Sequence, residues 1–266
     1  MSKHSSGQLV NNAAEFYDSR FVPSLFAPWA PLVTAAANLQ PDSKVLDVAC
    51  GTGVVAKHAL SEIGPQGSII GLDCNDAMLS VAKREPHITW QQGKAEALAF
   101  DEQSFDAVLC QFGLMFFEDQ VEALNEMWRV LAAGGRLVLA VWDKLEHQPG
   151  HQALFALLQA HLGQVCADSL HPPYALGAIE DLQSLLAKTS IENIDIQHHE
   201  TITRFNSVAE WIATEVRGWT LSEAVSDNKL AEIQAAGESA LKDFVGSNGA
   251  LAYPSRAHLV VVQKSA

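Results

Sequence analysis

The sequence predicts a doubly wound α/β fold, in which helices cover both faces of a mostly parallel sheet. Between residues 44 and 142, short apolar runs rich in β-branched residues alternate with segments of helical periodicity. Strands this apolar are typical of a parallel sheet that is buried on both faces. A glycine loop follows the first run and a carboxylate ends the second, which is where such sheets bind ligands.

Strands and helices are predicted alternately along this region from the spacing of its apolar residues. The predicted strands are 44–49, 68–73, 88–92, 105–110 and 136–142. The predicted helices are 53–63, 76–84 and 119–131. Asp119-x-x-Glu122 can form a capping box at the start of the third helix. Gly134-Gly135 is predicted to end that helix, because glycine readily adopts the left-handed conformation found there.

After residue 142 the alternation stops and helical patterns dominate. Four helices are predicted, over 150–162, 180–188, 208–215 and 227–245. A proline-containing stretch is predicted at 170–176, a strand-like stretch at 191–205 and a final strand at 256–263. We interpret 143–190 and 206–248 as a helical cover over the active edge of the sheet.

Composition excludes several classes of function. The chain has 266 residues, 48% apolar and 18% charged, which is ordinary for one or two globular domains. Lys and Arg total 17 against 31 Asp and Glu, and the net charge of −14 is shared equally by residues 1–142 and 143–266. Nucleic-acid binding requires clustered Lys and Arg, so this even acidity argues against it. No apolar run approaches the ~18–20 residues that span a bilayer, and the N-terminus lacks the apolar segment of a signal peptide.

The four cysteines, Cys50, Cys74, Cys110 and Cys166, show no C-x-x-C pairing. We therefore expect a reduced, cytoplasmic protein with no metal site. Cys50, Cys74 and Cys110 each close a predicted strand at its carboxyl end. These three cysteines should therefore lie near a bound cofactor.

The glycine loop predicts a cofactor that carries a ribose. Gly51-Thr52-Gly53 stands between the first strand and the first helix, where glycine lets a ligand approach the backbone and the helix offers unpaired N–H groups. Asp73 ends the second strand and can accept hydrogen bonds from ribose hydroxyls. The loop also fits the dinucleotide fingerprint G-x-G-x-x-A. Asp47, inside the first strand, favours another cofactor, because a pyrophosphate would repel this carboxylate while an ammonium group would satisfy it.

Six segments of the sequence carry a family resemblance. In order they are VLDVACGTG, GLD, NDAML, GKAEALAF, SFDAVLCQFGLMFF and EMWRVLAAGGRLVLAVW. They resemble successive motifs of class I S-adenosylmethionine-dependent methyltransferases, most closely the small-molecule group that includes the ubiquinone and menaquinone biosynthesis methyltransferases. The resemblance covers about residues 40–142. It implies S-adenosylmethionine as cofactor, a small-molecule methyl acceptor and a Rossmann-like sheet of seven strands whose last strand, 256–263, inserts antiparallel.

The resemblance divides the chain into three parts and assigns the methionine end of the cofactor. Residues 1–40 would form an N-terminal helical segment closing over the cofactor, 41–142 the cofactor-binding core, and 143–266 the cover with the last strands. Asp47, Ala49 and the Gly51-Thr52-Gly53 loop would hold the methionine end. Asp73 would hold the ribose.

Further contacts implied by the resemblance lie around the adenine and the transferred methyl group. Cys74 and Met78 would flank the adenine, and Ala95 would offer its backbone N–H to that ring. Cys110 and Gln111, just past the fourth strand, would line the methionine and transferred-methyl region. Tyr17 and Arg20 would lie on the segment that folds over the cofactor, although Tyr17 could instead be a packing residue.

One position departs from the family pattern. Relatives often have an aspartate before the alanine of the fourth motif, where it accepts a hydrogen bond from the adenine amino group. Lys94 stands there in this chain and has only donors. A backbone carbonyl of this segment, or Glu96, is the expected substitute.

The candidate for a general base comes from the second half of the chain, which holds seven of the ten histidines. The methyl group of a sulfonium is strongly electrophilic, so positioning alone suffices for an acceptor that is already nucleophilic. A hydroxyl acceptor benefits from a base, and histidine is the usual one because it titrates near neutrality. His147, five residues after the fifth strand, is our first candidate. The alternatives in this half of the chain are His151, His171, His198 and His199. Aromatic residues of the cover that could line an apolar acceptor pocket are Phe155, Tyr174, Trp211 and Trp219.

Three hypotheses on function follow. The first is an S-adenosylmethionine-dependent methyltransferase that acts on a small, partly apolar metabolite by in-line methyl transfer. The second is an NAD(P)-dependent oxidoreductase, which has to explain a carboxylate at position 47 facing a pyrophosphate. The third is a non-catalytic S-adenosylmethionine-binding protein, which predicts cofactor binding without an acceptor cavity.

Overall fold

The computed structural model of the chain describes residues 11–218 and 225–265. Within these ranges one sheet of seven strands has the order β3-β2-β1-β4-β5-β7-β6. Its strands are β1 Lys44–Val48, β2 Ser68–Asp73, β3 Thr89–Gln92, β4 Phe105–Gln111, β5 Leu131–Trp142, β6 Asp195–Phe205 and β7 Leu251–Gln263.

The sheet is parallel across its first five strands and antiparallel at its far edge. β1 pairs in parallel with β2 and β4, β2 with β3, and β4 with β5. β7 inserts between β5 and β6 and is antiparallel to both. The predicted doubly wound sheet with an antiparallel last strand is therefore confirmed.

Helices cover the sheet and fill the second half of the chain. They are α1 Asn11–Phe16, α2 Ala30–Ala37, α3 Val54–Leu60, α4 Asp76–Ala82, α5 Gln120–Val130, α6 Pro149–Leu162, α7 Gln164–Asp168, α8 Ile179–Leu186, α9 Val208–Gly218 and α10 Asp227–Ala240. A π-helical stretch, Tyr17–Phe26, and a 3₁₀ turn, Ala27–Trp29, join α1 to α2. Residues 1–10 and Trp219, named in the sequence predictions, lie outside the described residues.

The start of the fifth strand and the role of Gly134-Gly135 were predicted wrongly, and the helix predicted over 227–245 ends at Ala240. Asp119 caps α5 as expected, since its Oδ1 accepts a hydrogen bond from the backbone N–H of Glu122 at 3.0 Å. The helix ends at Val130, within one residue of the predicted end, but Gly134-Gly135 lie within β5 rather than terminating the helix. The reason is tertiary pairing: Gly134 N–H donates to the Lys264 carbonyl at 2.9 Å, next to β7.

The apolar core has two main parts. The larger cluster joins the sheet to α2, α3 and α5, and includes Leu46, Leu109 and Leu139, all fully buried. The second cluster lies among α6, α9, α10 and the paired ends of β6 and β7, around Trp211 and Tyr253. The part of the cover around α6, α9 and α10 therefore has its own core, whereas Leu182 and Leu186 of α8 belong to the larger cluster. No helix within the described ranges is both long and apolar enough to cross a membrane.

Two glycines, one on β2 and one in the loop before α3, make room for one large side chain. Trp90 on β3 pairs in register with Gly71, and its Nε1 donates to the Glu85 carbonyl at 2.9 Å. A Cβ built on Gly71 or Gly53 would overlap the Trp90 indole. The indole therefore packs beneath the glycine loop and sets the distance between that loop and the sheet.

We expect Gly71→Ala to destabilise the protein by about 3 kcal/mol, the upper range for overpacking a core. The added methyl group would collide with Trp90, and neither strand can move freely. Trp90→Leu should make room for it, so the double variant should lose less stability than the sum of the two single variants. Urea unfolding of the four proteins measures this coupling. Strictly additive changes in the free energy of unfolding would contradict the collision.

Candidate functional site

Three polar side chains converge where the strand order reverses, between β1 and β4. Ligands bind at such a reversal because the connections on its two sides diverge and leave a crevice. Asp47 pairs in register with Gly71 and with Leu109. Asp73 and Gln111 lie two residues beyond those partners, and so on the same face of the sheet as Asp47. Neighbouring strands thus place two carboxylates and an amide on one side of the crevice.

Asp73 ties the glycine loop to β2. One of its carboxylate oxygens accepts a hydrogen bond from Gly51 N–H at 2.8 Å, and the other accepts from Asn75 N–H at 2.8 Å. Burial raises the pKa of Asp73, while these backbone hydrogen bonds lower it in part. A carboxylate offers about four lone-pair positions. Asp73 can therefore hold the loop and still accept hydrogen bonds from two hydroxyls.

Asp47 is the most deeply buried carboxylate of the crevice, with 1% of its surface exposed. Its Oδ2 accepts a hydrogen bond from Ala56 N–H at 3.0 Å, in the first turn of α3. Burial raises the pKa of Asp47 to about 7, although the Ala56 hydrogen bond opposes the rise and the Asp73 charge adds to it. Ionising so buried a group is costly unless a cation lies beside it. The crevice therefore favours a positively charged ligand group at Asp47.

Gln111 adds a buried acceptor oxygen that has no hydrogen-bond partner among the described residues. Its Nε2 donates to the Phe26 carbonyl at 3.2 Å, which orients the amide. Its Oε1 is buried, with no hydrogen-bond partner among the residues that the structure describes. Because buried acceptors are normally paired, this oxygen indicates a position for a ligand donor.

The loop between β1 and α3 exposes its backbone to the crevice. Gly51 and Gly53 have positive φ angles of 56° and 88°, and Ala49 also has a φ of 56°. A Cβ on Gly51 would meet only the Tyr17 ring, at 3.9 Å. Thr52 is buried. The left-handed residues turn the chain sharply into the helix, so that a ligand can approach the main chain closely.

The N-terminal segment reaches this loop through Tyr17. Burial raises the pKa of the Tyr17 phenol, and the nearby carboxylates of Asp73 and Asp47 raise it further, so the hydroxyl keeps its proton. Arg20, on the same segment, lies elsewhere: its Nη1 is 2.6 Å from Oε1 of Glu210 on α9. The structure thus brings Tyr17 to the loop, whereas Arg20 ties the segment to the cover.

The residues expected around an adenine surround the start of α4. Met78 is buried against Ala14 of α1, and Ala95 is also buried. Cys74 is exposed, and its carbonyl accepts a hydrogen bond from Gln92 Nε2 at 3.1 Å. These residues follow the carboxyl ends of β2 and β3, next to Asp73.

The substitution of lysine at position 94 changes the local contacts. Lys94 Nζ lies 3.2 Å from Oε2 of Glu118. Glu96 Oε1 accepts a hydrogen bond from Glu118 N–H at 2.9 Å. Both side chains therefore stabilise the turn before α5, and the backbone of residues 94–96 is the part of this segment left to meet a ligand.

Two of the three strand-end cysteines are buried beside the crevice. Burial raises the pKa of the Cys50 thiol well above its usual value and that of Cys110 to about 12. Both thiols therefore keep their protons at neutral pH. Within the described ranges, no group of three or more His, Cys, Asp or Glu side chains is arranged to hold a metal ion.

His147 lies just after β5, in the 3₁₀ turn Leu145–His147. Its Nδ1 is 2.9 Å from Oδ2 of Asp143, which is 9% exposed. A carboxylate can only accept, so in the neutral imidazole Nδ1 carries the proton and Nε2 keeps its lone pair. This is the arrangement of a general base oriented by a carboxylate. Sequence reasoning missed Asp143, whose signal was an acidic residue at a strand end, one helical turn before a histidine.

A second pair, which is buried, links two helices of the cover, α6 and α9. The sequence analysis treated these helices separately. His151 Nε2 on α6 lies 3.2 Å from Glu215 Oε1 on α9, and both side chains are buried. Tyr174 and Trp211, two of the expected pocket aromatics, face the His151 ring at centroid distances of 5.7 and 5.8 Å. Phe155 packs against the second apolar cluster.

The fold and the crevice by themselves indicate the class of protein, one that binds a ribose-bearing cofactor. A glycine loop between β1 and α3, with a carboxylate at the end of β2, is how doubly wound α/β proteins bind a ribose-bearing cofactor. The strand order, the reversal point and the free lone pairs of Asp73 all agree with that class.

The chain belongs to the ubiE/COQ5 methyltransferase family, whose sequence model matches residues 22–197. The demethylmenaquinone methyltransferase of Deinococcus radiodurans is 41% identical over 132 residues, which cover 48% of this chain and 52% of that protein. The ubiquinone/menaquinone biosynthesis C-methyltransferase UbiE of Idiomarina loihiensis is 30% identical over 188 residues, covering 64% of this chain and 74% of that protein.

The match to several curated relatives, the Deinococcus protein among them, spans about half of their length. A solved structure of Haemonchus contortus phosphoethanolamine N-methyltransferase 2 in complex with S-adenosyl-L-methionine aligns with a TM-score of 0.62 and 16% identity, covering 98% of this chain and 58% of that one. At this identity the likeness concerns the fold.

Proposed function

We propose that the protein is an S-adenosylmethionine-dependent methyltransferase that acts on a small, apolar, quinone-type acceptor. The observation that carries the proposal is Asp47, a carboxylate held at 1% exposure with a pKa raised to about 7. The α-ammonium of a methionine moiety would neutralise it. A dinucleotide pyrophosphate at the same loop would instead repel it.

The other polar groups of the crevice fit the same cofactor. The buried Oε1 of Gln111 offers a further acceptor to the ammonium. The two remaining lone pairs of Asp73 suit the adjacent hydroxyls of a ribose, and the Gly51 backbone leaves space for close approach. Together these groups support binding of a ligand with an ammonium at one end and a ribose at the other.

When bound, S-adenosylmethionine supplies an electrophilic methyl group on a sulfonium. This chain's residues bind and orient the two reactants and exclude water from them. Tyr17 and Phe26, from the N-terminal segment, contact each other with ring centroids 5.1 Å apart, and they lie next to Gly51 and Gln111 respectively. Phe112 stacks on Trp142 at 3.7 Å where β4 and β5 end, and both rings are buried.

The proposed class of methyl acceptor is supported by the names of the relatives and by the aromatic Phe112–Trp142 pair at the ends of β4 and β5. Relatives of this family carry the names demethylmenaquinone methyltransferase and ubiquinone/menaquinone biosynthesis C-methyltransferase. A ring carbon of a quinol becomes a better nucleophile when a neighbouring hydroxyl loses its proton. The lone pair of His147 Nε2, with Asp143 behind the ring, suits that proton transfer.

Calorimetric titration tests the cofactor. S-adenosylmethionine and its product S-adenosylhomocysteine should bind, while NAD should not. A protein that binds NAD and neither sulfur ligand would overturn the proposal and support the oxidoreductase hypothesis. A short-chain demethylmenaquinol analogue then tests the acceptor, with methyl transfer followed by mass spectrometry.

His147→Ala should lower the turnover number about 100-fold, within the range for loss of a general base, and leave S-adenosylhomocysteine affinity unchanged. Asp143→Asn should have a smaller effect in the same direction, because the ring keeps its position in part. The measurements are steady-state rates and calorimetric affinity.

The matched control for these variants is His171→Ala. His171 also has a carboxylate partner, Asp168 at 3.6 Å, but this pair is exposed on the cover. Its removal should leave turnover unchanged. Wild-type turnover in His147→Ala would remove this histidine as the base and leave the cofactor proposal intact.

A further inference from the structure

The Asp143 carboxylate is contacted from two sides. Its Oδ2 faces His147 Nδ1 at 2.9 Å. Its Oδ1 accepts a hydrogen bond from Lys144 N–H at 2.7 Å and lies 3.4 Å from Nε2 of His258. His258 belongs to β7, which pairs with β5 immediately beneath this turn. A residue 111 positions later in the chain than His147 therefore reaches the carboxylate that orients it.

His258 is held in one tautomer by its surroundings. It is 1% exposed, and its Nε2 lies 2.9 Å from the Gly177 carbonyl, which can only accept a hydrogen bond. Nε2 must therefore carry a proton and donates it to the Gly177 carbonyl, while Asp143 Oδ1 lies 3.4 Å from the same nitrogen. The other ring nitrogen, Nδ1, lies 3.1 Å from Nδ1 of His198 on β6.

The turn that carries Asp143 and His147 is fastened to β7 separately. Gln148, also 1% exposed, donates from Nε2 to the Arg256 carbonyl at 2.6 Å and accepts from Arg256 N–H at 3.0 Å. Arg256 Nη1 in turn donates to the His147 carbonyl at 3.0 Å. The backbone of the turn is thus fixed without His258, which leaves His258 to act on the Asp143 side chain.

We propose that His258 is a positioning residue for the Asp143–His147 pair. The Lys144 N–H donates to Oδ1 of Asp143, and the positive N–H edge of the His258 ring lies 3.4 Å from the same oxygen. Together they hold Oδ1 on this side, which turns Oδ2 toward His147 and holds the proton of His147 on Nδ1. The role of His147 as a base rests on the proposed function. The positioning itself is a property of the unliganded protein and is measured without turnover.

Nitrogen NMR of protein labelled at histidine tests the proposal, because neutral imidazole tautomers have distinct ¹⁵N shifts. An isolated histidine side chain favours the Nε2–H tautomer, so a dominant Nδ1–H form of His147 reports the contact with Asp143. His147→Gln identifies the signal by its loss. At about pH 8, where histidine is neutral, we expect the Nδ1–H form to predominate.

In His258→Leu we expect the ratio of Nδ1–H to Nε2–H at His147 to fall about five-fold, because Asp143 loses the electrostatic contact with the His258 N–H edge and no longer holds Oδ2 on His147. His258→Gln keeps a donor near the position of Nε2 and should preserve the wild-type ratio. His199→Leu is the matched control on β6, since His199 contacts Gln197 rather than this network. If His258→Leu does not fold, His258→Asn, which lacks a donor at that reach, takes its place.

An unchanged ratio in a folded His258→Leu or His258→Asn protein would overturn the positioning role. An equal fall in His199→Leu would do the same, because the effect would then be a general loosening of the strand. Failure of S-adenosylmethionine to bind would overturn the proposed function instead, and would leave the tautomer result as it stands.

Discussion

Asp47→Asn should make the unliganded protein more stable at pH 8 and at the same time abolish tight cofactor binding. The two effects have one origin, the burial of a carboxylate with a single backbone hydrogen bond, from Ala56. Asparagine keeps an oxygen for that bond and carries no charge to desolvate. The expected gain in the free energy of unfolding is about 2–4 kcal/mol at pH 8.

The sign of this gain follows from linkage. The pKa of Asp47 is about 7 in the folded protein, against an ordinary value of 3.8. Between these values the unfolded chain has lost the proton that the folded protein keeps, so stability falls as pH rises from about 4 to about 7 and is constant above. Asp47→Asn removes this loss of stability. The free energies of unfolding of the wild type and the variant should therefore differ most above pH 7 and become equal near about pH 4.

Asp47→Asn should lower the affinity for the cofactor, although it raises the stability of the unliganded protein. Loss of the charge partner of a buried ammonium costs roughly 100-fold in affinity. Asp106→Asn is the control, since Asp106 is exposed and accepts a hydrogen bond from Lys44 N–H at the other end of the sheet. Urea unfolding across pH and calorimetry with S-adenosylhomocysteine make the measurements. A destabilised Asp47→Asn protein with normal affinity would show that the carboxylate is structural.

Asp73→Asn should weaken binding of every ligand that carries the ribose, by about 100-fold. The amide has one acceptor oxygen where the carboxylate has two, and both are needed for Gly51 and Asn75 before any ligand is bound. The ribose would then meet an N–H₂ group at one of its two hydroxyls. Asp76→Asn, three residues further on and exposed, is the control.

Two ligands separate the roles of the two carboxylates. S-adenosylhomocysteine has both the ammonium and the ribose, whereas 5′-methylthioadenosine has the ribose alone. Asp73→Asn should weaken both ligands, and Asp47→Asn should weaken only the first. If Asp47→Asn weakened 5′-methylthioadenosine as strongly as S-adenosylhomocysteine, the ammonium would not lie at Asp47, and the assignment of the two ends of the crevice would be reversed or wrong.

Local sequence patterns predicted the central strands well because β1, β2 and β4 bury apolar residues on both faces. β2 was predicted to its exact residues, and β1, β3 and β4 to within one residue at an end. β5 was predicted short because its first residues, including Gly134 and Gly135, pair with the end of the chain. Glycine at such a position indicates a turn when only near neighbours are considered, and a distant partner decides otherwise.

In the candidate site too, some residues could be predicted from the local sequence and others could not. Asp47, Asp73 and the glycine loop could be selected from the sequence because all lie within 27 residues and their positions on strands determine their face. The Asp143–His147 pair was half predicted, since a strand end gave His147 its place but not its partner. His258 could not be predicted, because it joins this pair only through the antiparallel insertion of β7 between β5 and β6.

The sequence by itself determined the fold class, the crevice at the reversal point and the ribose-binding carboxylate, because hydrophobic periodicity and glycine spacing act over a few residues. Only the tertiary structure decided which buried groups lack partners and which histidines share a carboxylate. Burial raises the pKa of Asp47 and orients Asp143, and burial is a sum over contacts from segments far apart in the chain. The chemistry of the site depends on that sum, and no local pattern of residues contains it.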